Sequence, residues 1–357
     1  MIYLNVVGGC ERRLSGRIIK DVATLFHPSY NSIYDSYDLA HKIIRICKDN
    51  SSAERQTRPS PDVILRRLHQ VDEAQFWGVL TGLNEFLLRN ILLPEDPMIA
   101  IDFKIFPYYG GEQPSLVSDP RLPETNLGIK LAVLSVVERG KTFTLRVRQV
   151  GPLESEVSVL TEMLDYAGKL FDPKVVLLDR GFYSVPVIRE LRSRNLSFIM
   201  AVRRTSPIKE LLKGFRRRET PAEVDYTVHG EEGEEDVRLV FTERETEKGA
   251  KVHPFITNLD TGPERVSKLY GWRWRIETNN REFGKFLPFT TSPSMKIRRI
   301  YFALSMILYN FWIVVRGGKD LPRAYEFKKI LEESLKEILK GIRRRPRPPP
   351  AAQMFRR

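Results

Sequence analysis

Apolar residues recur three or four positions apart from about residue 15 to residue 94, in 37–47, 63–68 and 76–93. That spacing turns one face of an α-helix toward a core, so the pattern predicts a helical N-terminal domain over 1–94. Ser60-Pro61-Asp62 reads as a helix start, with Ser as N-cap, Pro at the first helical position and an acid in the first turn. The short helix it opens carries Arg66, Arg67 and His69. Two readings stay open for it: a DNA-binding element, or a packing helix with a solvated basic face. After Pro94 and Pro97 the period changes to that of strands, at 98–106, 128–137 and 142–150, with a turn at 138–141 closing the last two into a hairpin.

An amphipathic helix is predicted over 154–170, a buried strand over 175–178, a helix over 186–194 and a strand over 197–202. Three strands, helix, strand, helix, strand is the element order of a ribonuclease H-like α/β core. Residues 203–257 interrupt it with a basic run, strand-like segments at 223–228, 237–241 and 251–257, and an acidic turn over 229–236, a mostly β insertion. A long helix is then predicted over 263–286, an apolar one over 297–315, and a charged one over 322–341 after Gly317-Gly318. The expected division is 1–94 for the N-terminal domain, 95–316 for the catalytic domain, and 317–357 for a C-terminal helix with a disordered Pro/Arg-rich tail. No internal repeat is present.

Composition adds a partner. The 357 residues carry a formal charge of +13, six of the thirteen in the tail at Arg343, Arg344, Arg345, Arg347, Arg356 and Arg357, and the remainder is still basic. A polyanion is the expected ligand. Cys10 and Cys47 are too few for a disulfide framework or a Cys-rich zinc site, which points to a reducing compartment. No secretory signal is evident and the most apolar stretch, 300–315, falls short of about 20 residues, so the expectation is a soluble, cytoplasmic, nucleoid-associated protein without a membrane partner.

Three carboxylates stand in unusual settings. Asp102 interrupts the apolar run 98–110, Asp179 ends the run 175–178 just before Arg180-Gly181, and Glu277 falls on the helix predicted over 263–286. Asp is disfavoured in strands and expensive to bury alone, so each Asp needs an explanation, whether as a turn and cap residue or as a functional group. At about 100° per residue, Tyr270, Arg273, Glu277, Arg281 and Gly284 form one stripe. A polar and aromatic stripe suits a phosphate-facing surface better than a core. Trp272 and Trp274 flank it, as core aromatics or as platforms for an unstacked base. Three acidic oxygen donors in a basic chain suit a pair of Mg²⁺ ions, with Mn²⁺ as a possible substitute, held against a nucleic acid backbone.

Tyr270-x2-Arg273-x3-Glu277 resembles the Tyr-x2-Arg-x3-Glu-x6-Lys motif of insertion-sequence DDE transposases that carry a β-strand insertion between the second Asp and the Glu. Asp179-Arg-Gly-Phe-Tyr resembles the second Asp region of that family, and Asp102 with Pro107-Tyr-Tyr-Gly110 the first; the likeness covers roughly residues 95–316. The resemblance implies that Asp102, Asp179 and Glu277 are the catalytic metal ligands. It further implies that Tyr270, Arg273, Arg281, Lys285, Trp272 and Trp274 contact DNA. Where the family has its Lys this chain has Gly284, leaving Arg281 or Lys285 to supply the charge, and Phe103-Lys104 stand where relatives often carry smaller residues. The implied activity is cleavage of terminal inverted repeats and their joining to target DNA by a homodimer. The alternatives are a ribonuclease H-like nuclease without strand transfer and an inactive transposase-derived DNA-binding protein.

Overall fold

Capping chemistry sets the first helices. In the computed structural model, which describes residues 2–29, 32–91, 93–138, 141–244, 249–273, 282–316 and 323–343, α1 spans Ile2–Ala23, α2 Ser36–Lys48, α3 Pro61–Gln70 and α4 Glu73–Leu88. Asp35 opens α2 with a reciprocal capping box, accepting from the Asp38 amide at 2.8 Å while the Asp38 carboxylate accepts from the Asp35 amide at 3.3 Å. Asp72 opens α4 by accepting from the Gln75 amide at 2.7 Å. Ser60 does occupy the N-cap of α3 in extended backbone, but its hydroxyl makes no cap bond, and Pro61 alone sets the first turn. Periodicity places the first helix near residue 15, whereas α1 begins at Ile2.

The chain divides into two compact units, Met1–Ile91 with Glu282–Arg357, and Leu92–Arg281. The second unit is built on a nine-stranded sheet: β1 Ile99–Pro107, β2 Val117–Ser118, β3 Leu127–Glu138, β4 Lys141–Gln149, β5 Val176–Leu178, β6 Phe198–Ala201, β7 Glu223–Gly230, β8 Gly233–Arg244 and β9 Lys251–Thr257. β1 pairs antiparallel with β3 and parallel with β5, and β5 pairs parallel with β6. The order β4-β3-β1-β5-β6 is that of a ribonuclease H-like core, reached by two parallel crossovers through α5 Glu156–Gly168 and α6 Val185–Ser193. Such strands lie between layers and are apolar throughout: Val176, Leu177 and Leu178 are fully buried.

The insertion is more continuous with the core than the sequence pattern implies. Its basic run folds as α7, Ser206–Arg216, which buries Ile208 and Leu212, and β9 pairs antiparallel with β6, so β9, β8 and β7 extend the core sheet. Most of the acidic segment predicted as a turn is strand. Val228 pairs with Glu235, His229 with Glu234 and Gly230 with Gly233, and only Glu231 and Glu232 turn. Gly233 has φ +113, where a side chain would be strained. Glu235 accepts from Arg189 Nε at 2.8 Å and Arg192 Nη1 at 2.7 Å, which ties the hairpin to α6 and explains why so acidic a stretch stays in a sheet.

After α8, Pro263–Tyr270, come α9, Met295–Val315, and α10, Ala324–Arg343. Every residue of α9 from Ile300 to Trp312 is buried, and a helix apolar on all sides must be surrounded. Its 21 residues are long and apolar enough to cross a bilayer, yet they are covered by α1, α2, α3 and α4. In the structure this segment lies in the unit of Met1–Ile91 and Glu282–Arg357. α10 buries Phe327, Leu331, Leu335 and Leu339 at i, i+4 spacing, packing on α1 and α2.

Inside this apolar interior Asn310 Nδ2 donates to Asn84 Oδ1 at 2.6 Å, with the two side chains 0% and 3% exposed. Removing one partner leaves a buried amide short of a hydrogen bond at a cost of about 1–3 kcal/mol, whereas replacing both with apolar groups of similar size costs less. Urea unfolding of Asn310→Leu should therefore show a larger loss than Asn84→Leu/Asn310→Leu. A double variant less stable than either single one would be incompatible with a coupled amide pair.

Candidate active site

Strand register brings the first two carboxylates together. Along the parallel β1–β5 ladder Ile99 pairs with Val176, Ala100 with Leu177 and Ile101 with Leu178, and the same register continued by one residue sets Asp102 beside Asp179. Asp179 lies one residue past β5 with φ −82 and ψ 174, which continues the extended backbone. Neighbouring strands lie about 4.8 Å apart and paired residues project to one face, so both carboxylates belong to the same side of the sheet. It is the side of Ala100 and Leu177, whose core cluster includes Val266, Leu269 and Tyr270 of α8. Burial of α8 on this face carries the chain beyond it to the carboxylates.

The turn after Asp179 is held from three directions. Asp179 Oδ1 accepts from the Gly181 amide at 2.8 Å. A Cβ at Gly181 would stand 2.9 Å from that same oxygen, so glycine here keeps the carboxylate where it is. Arg203 donates Nε and Nη2 to the carbonyls of Arg180 and Gly181, each at 3.3 Å. Phe182 stacks on Phe103 of β1 with centroids 4.5 Å apart, and Lys130 Nζ lies 4.2 Å from the Phe103 ring. Phe103, a departure from the family pattern, thus braces the turn that presents Asp179.

Asp102 is 7% exposed and has a buried cation beside it: Arg273 Nη1 donates to Asp102 Oδ1 at 3.4 Å, and Arg273 is itself 8% exposed. The guanidinium carbon lies 5.3 Å from the Tyr270 ring centroid, and the Tyr270 hydroxyl donates to the Leu178 carbonyl at 3.2 Å, one residue before Asp179. Burial raises the Tyr270 phenol above its ordinary range, Arg273 opposes the rise, and Asp179 and Asp102 add to it. Tyr270 and Arg273 therefore contact the second and first carboxylate strands respectively. Lys104, on the Asp102 side of β1, is lowered by burial to about 8, against which Asp102 favours its charged form.

The other candidates are distributed unevenly. α8 ends at Tyr270, and Trp272 and Arg273 follow in tighter turns, with their amides donating to Leu269 and Tyr270. The rest of the stripe counted along a helix over 263–286, from Glu277 to Arg281, lies outside the described residues, as does Trp274. Trp272 packs against the apolar cluster beneath α8. Lys285, in the helical unit, pairs with Glu282 and lies 5.4 Å from the Trp312 ring centroid. Among the described residues no three His, Cys, Asp or Glu side chains converge, so the described donor set is the pair Asp102 and Asp179, hard oxygen ligands of the type Mg²⁺ takes.

Sequence patterning missed a cleft of ≈ 550 Å³ that borders Asp179, Tyr270 and Arg273 and is also lined by Arg180, Arg204, Arg244 and His253. Its one sequence signal is the Arg203-Arg204 pair two residues past the end of β6, whose significance depends on β9 and β8 joining the core sheet.

A double-mutant cycle tests the Asp102–Arg273 contact. Arg273→Ala should destabilise the native chain more than it destabilises Asp102→Asn, with a coupling of about 1–2 kcal/mol in urea unfolding. Simple additivity would show that the pair contributes no interaction energy.

Comparison with known proteins places the fold and part of the chain. Residues 147–311 match the family model of the transposase DDE domain, a segment that contains Asp179 and Glu277, with Asp102 ahead of it. No curated protein sequence matches the chain. The structure is similar to that of a piggyBac transposase synaptic complex with hairpin DNA, with a TM-score of 0.60 and 13% identity over 96% of this chain and 83% of that one, a likeness of fold. Residues 147–311 are thus similar to a transposase DDE domain, and the chain has a ribonuclease H-like fold.

Proposed function

We propose that this protein is a DNA transposase that cleaves the ends of its mobile element and joins them to target DNA by Mg²⁺-dependent phosphodiester chemistry. The observation that carries the reading is the β1–β5 register, which continues toward Asp102 and Asp179, the latter within the segment that matches the transposase DDE domain. Asp102, Asp179 and Glu277 would hold the metal, which when bound activates a water or a 3′-hydroxyl and offsets charge on the leaving oxygen. The chain's own residues do the rest. Gly181 and Arg203 fix the orientation of Asp179, and Tyr270 fixes the end of β5. Arg273 balances the buried charge of Asp102 and can turn to a phosphate oxygen when that carboxylate has another cation.

DNA as partner is supported by the basic charge and by the similar piggyBac structure, which is a synaptic complex with hairpin DNA. By extension, two element ends would be paired by a homodimer. Trp272, Trp274, Arg281 and Lys285 remain proposed DNA contacts, and α3 with Arg66, Arg67 and His69 the proposed reader of terminal repeats. A ribonuclease H-like nuclease without strand transfer would share the carboxylates but leave no joined product.

The test uses purified protein and a plasmid carrying the DNA that flanks the gene. Cleavage and joining should require Mg²⁺, stop on chelation and return with Mg²⁺ or Mn²⁺. Asp102→Asn, Asp179→Asn and Glu277→Gln should each reduce both to background while DNA binding and the circular dichroism spectrum persist. Gly181→Ala should fall between these variants and wild type. Near-normal cleavage by any one of the three would remove that residue from the metal site, and cleavage without joined product would favour the nuclease.

A further inference from the structure

We infer that the cleft beside Asp179 is a second phosphate-binding site, formed by Arg180, Arg204 and Arg244, that holds the backbone of the DNA strand as it leaves the carboxylates. The inference rests on the transposase reading and gives the β insertion a role in it. The cleft runs from Asp179 and Tyr270 over Ala201 and Pro254 toward the loop-connected end of the β8–β9 hairpin, where Arg244 pairs with Lys251 across the ladder. From Phe255 to Lys251 that path covers about 13 Å at roughly 3.3 Å per residue, room for a few consecutive phosphates.

Charge distribution distinguishes this surface from the rest of the unit. Arg146, Arg148, Arg189, Arg192, Arg194 and Arg238 each pair with a carboxylate. Among the described residues Arg180 and Arg204 have no ion-pair partner; Arg204 Nη2 donates to the Val252 carbonyl at 3.2 Å, which anchors its head at the β8–β9 rim. Among the described residues the one acid lining the cleft is Asp179, assigned to the metal site. Burial first, and then the cations Arg204, Arg244 and Lys251, hold the His253 imidazole below its ordinary value. Like charges gathered beside apolar walls at Val202, Pro254 and Phe255 repel one another until a polyanion enters, and those walls focus the field.

The aromatic floor decides which part of the strand is bound. His253 stacks near Phe255 with centroids 6.5 Å apart, and Phe255 contacts Tyr270 at 4.3 Å. Phe255 and Tyr270 are each only 5% exposed, so their faces are not open to a base, and the cleft engages phosphates rather than bases.

Salt titration of DNA binding by the full chain in EDTA tests this without catalysis, using a duplex of arbitrary sequence. The slope of log Kobs against log salt should fall by about 1.8 in Arg204→Ala/Arg244→Ala, at about 0.9 for each phosphate that is no longer neutralised. The corresponding lysine pair should restore it. Arg216→Ala/Arg217→Ala, which removes equal charge outside the cleft, should leave the slope unchanged. An unchanged slope in the cleft pair, or an equal loss in both pairs, overturns the assignment. Binding of dATP or pyrophosphate that the cleft pair abolishes without altering the DNA slope would also overturn it, in favour of a free-nucleotide site. If wild type cleaves and joins DNA while the slopes are equal, only the cleft assignment fails; absence of any salt-dependent DNA binding by wild type removes the transposase reading itself.

Discussion

The parallel pairing of β1 with β5 is the constraint from which the rest of the site follows. A parallel ladder fixes which residues stand side by side, and a slip of one position would move Asp102 or Asp179 to the opposite face of the sheet. Register is protected by the residues just below the carboxylates: Ala100 and Leu177 are fully buried against α8, and Ile101 and Leu178 are fully buried on the other side. Two acids on one rung repel each other and one of them is nearly buried, so the fold must supply a cation. It does so with Arg273, which follows the same helix that covers the rung, so the packing that fixes register also delivers the counter-charge.

Much of the architecture was legible because it rests on local signals. Strand β5 is a run of apolar residues bounded by Lys174 and Asp179, α5 and α6 have caps or an early proline, and the element order of the core follows from period changes alone. What remained hidden depends on contacts between distant segments. The helix Met295–Val315 is equally compatible with any apolar surroundings, and only the faces of α1, α2, α3 and α4 determine that it belongs to the helical unit. The acidic segment around Glu235 looks like a loop until Arg189 and Arg192, more than forty residues away, neutralise it.

For the site, the two aspartates stood out as polar residues in apolar strands, and Tyr270 and Arg273 stood out through a motif. Their contacts with the carboxylate strands were not legible, because they depend on the turns that follow α8 at Gly271. The roles of Arg203 and Phe103 were not legible, since one acts through backbone carbonyls and the other through a ring stack on Phe182 in the turn after β5.

The insertion shows how an addition to a sheet can alter chemistry that it does not itself contain. An antiparallel strand beside β6 protects an edge that would otherwise be open to association. Because β9 aligns Phe255 with Ala201 and His253 with Thr242, the same pairing sets a concave, cation-lined surface directly beside Asp179. Repulsion among those cations is a cost in the free protein and becomes favourable only when phosphates are present, so it biases the cleft toward its ligand without any base being read. On the proposed function, sequence recognition would come from elsewhere in the chain, while the insertion would contribute grip next to the reacting phosphodiester. A sheet extended from the core suits that task better than a mobile loop, because its register is tied through β6 and β5 to the rung that carries the acids.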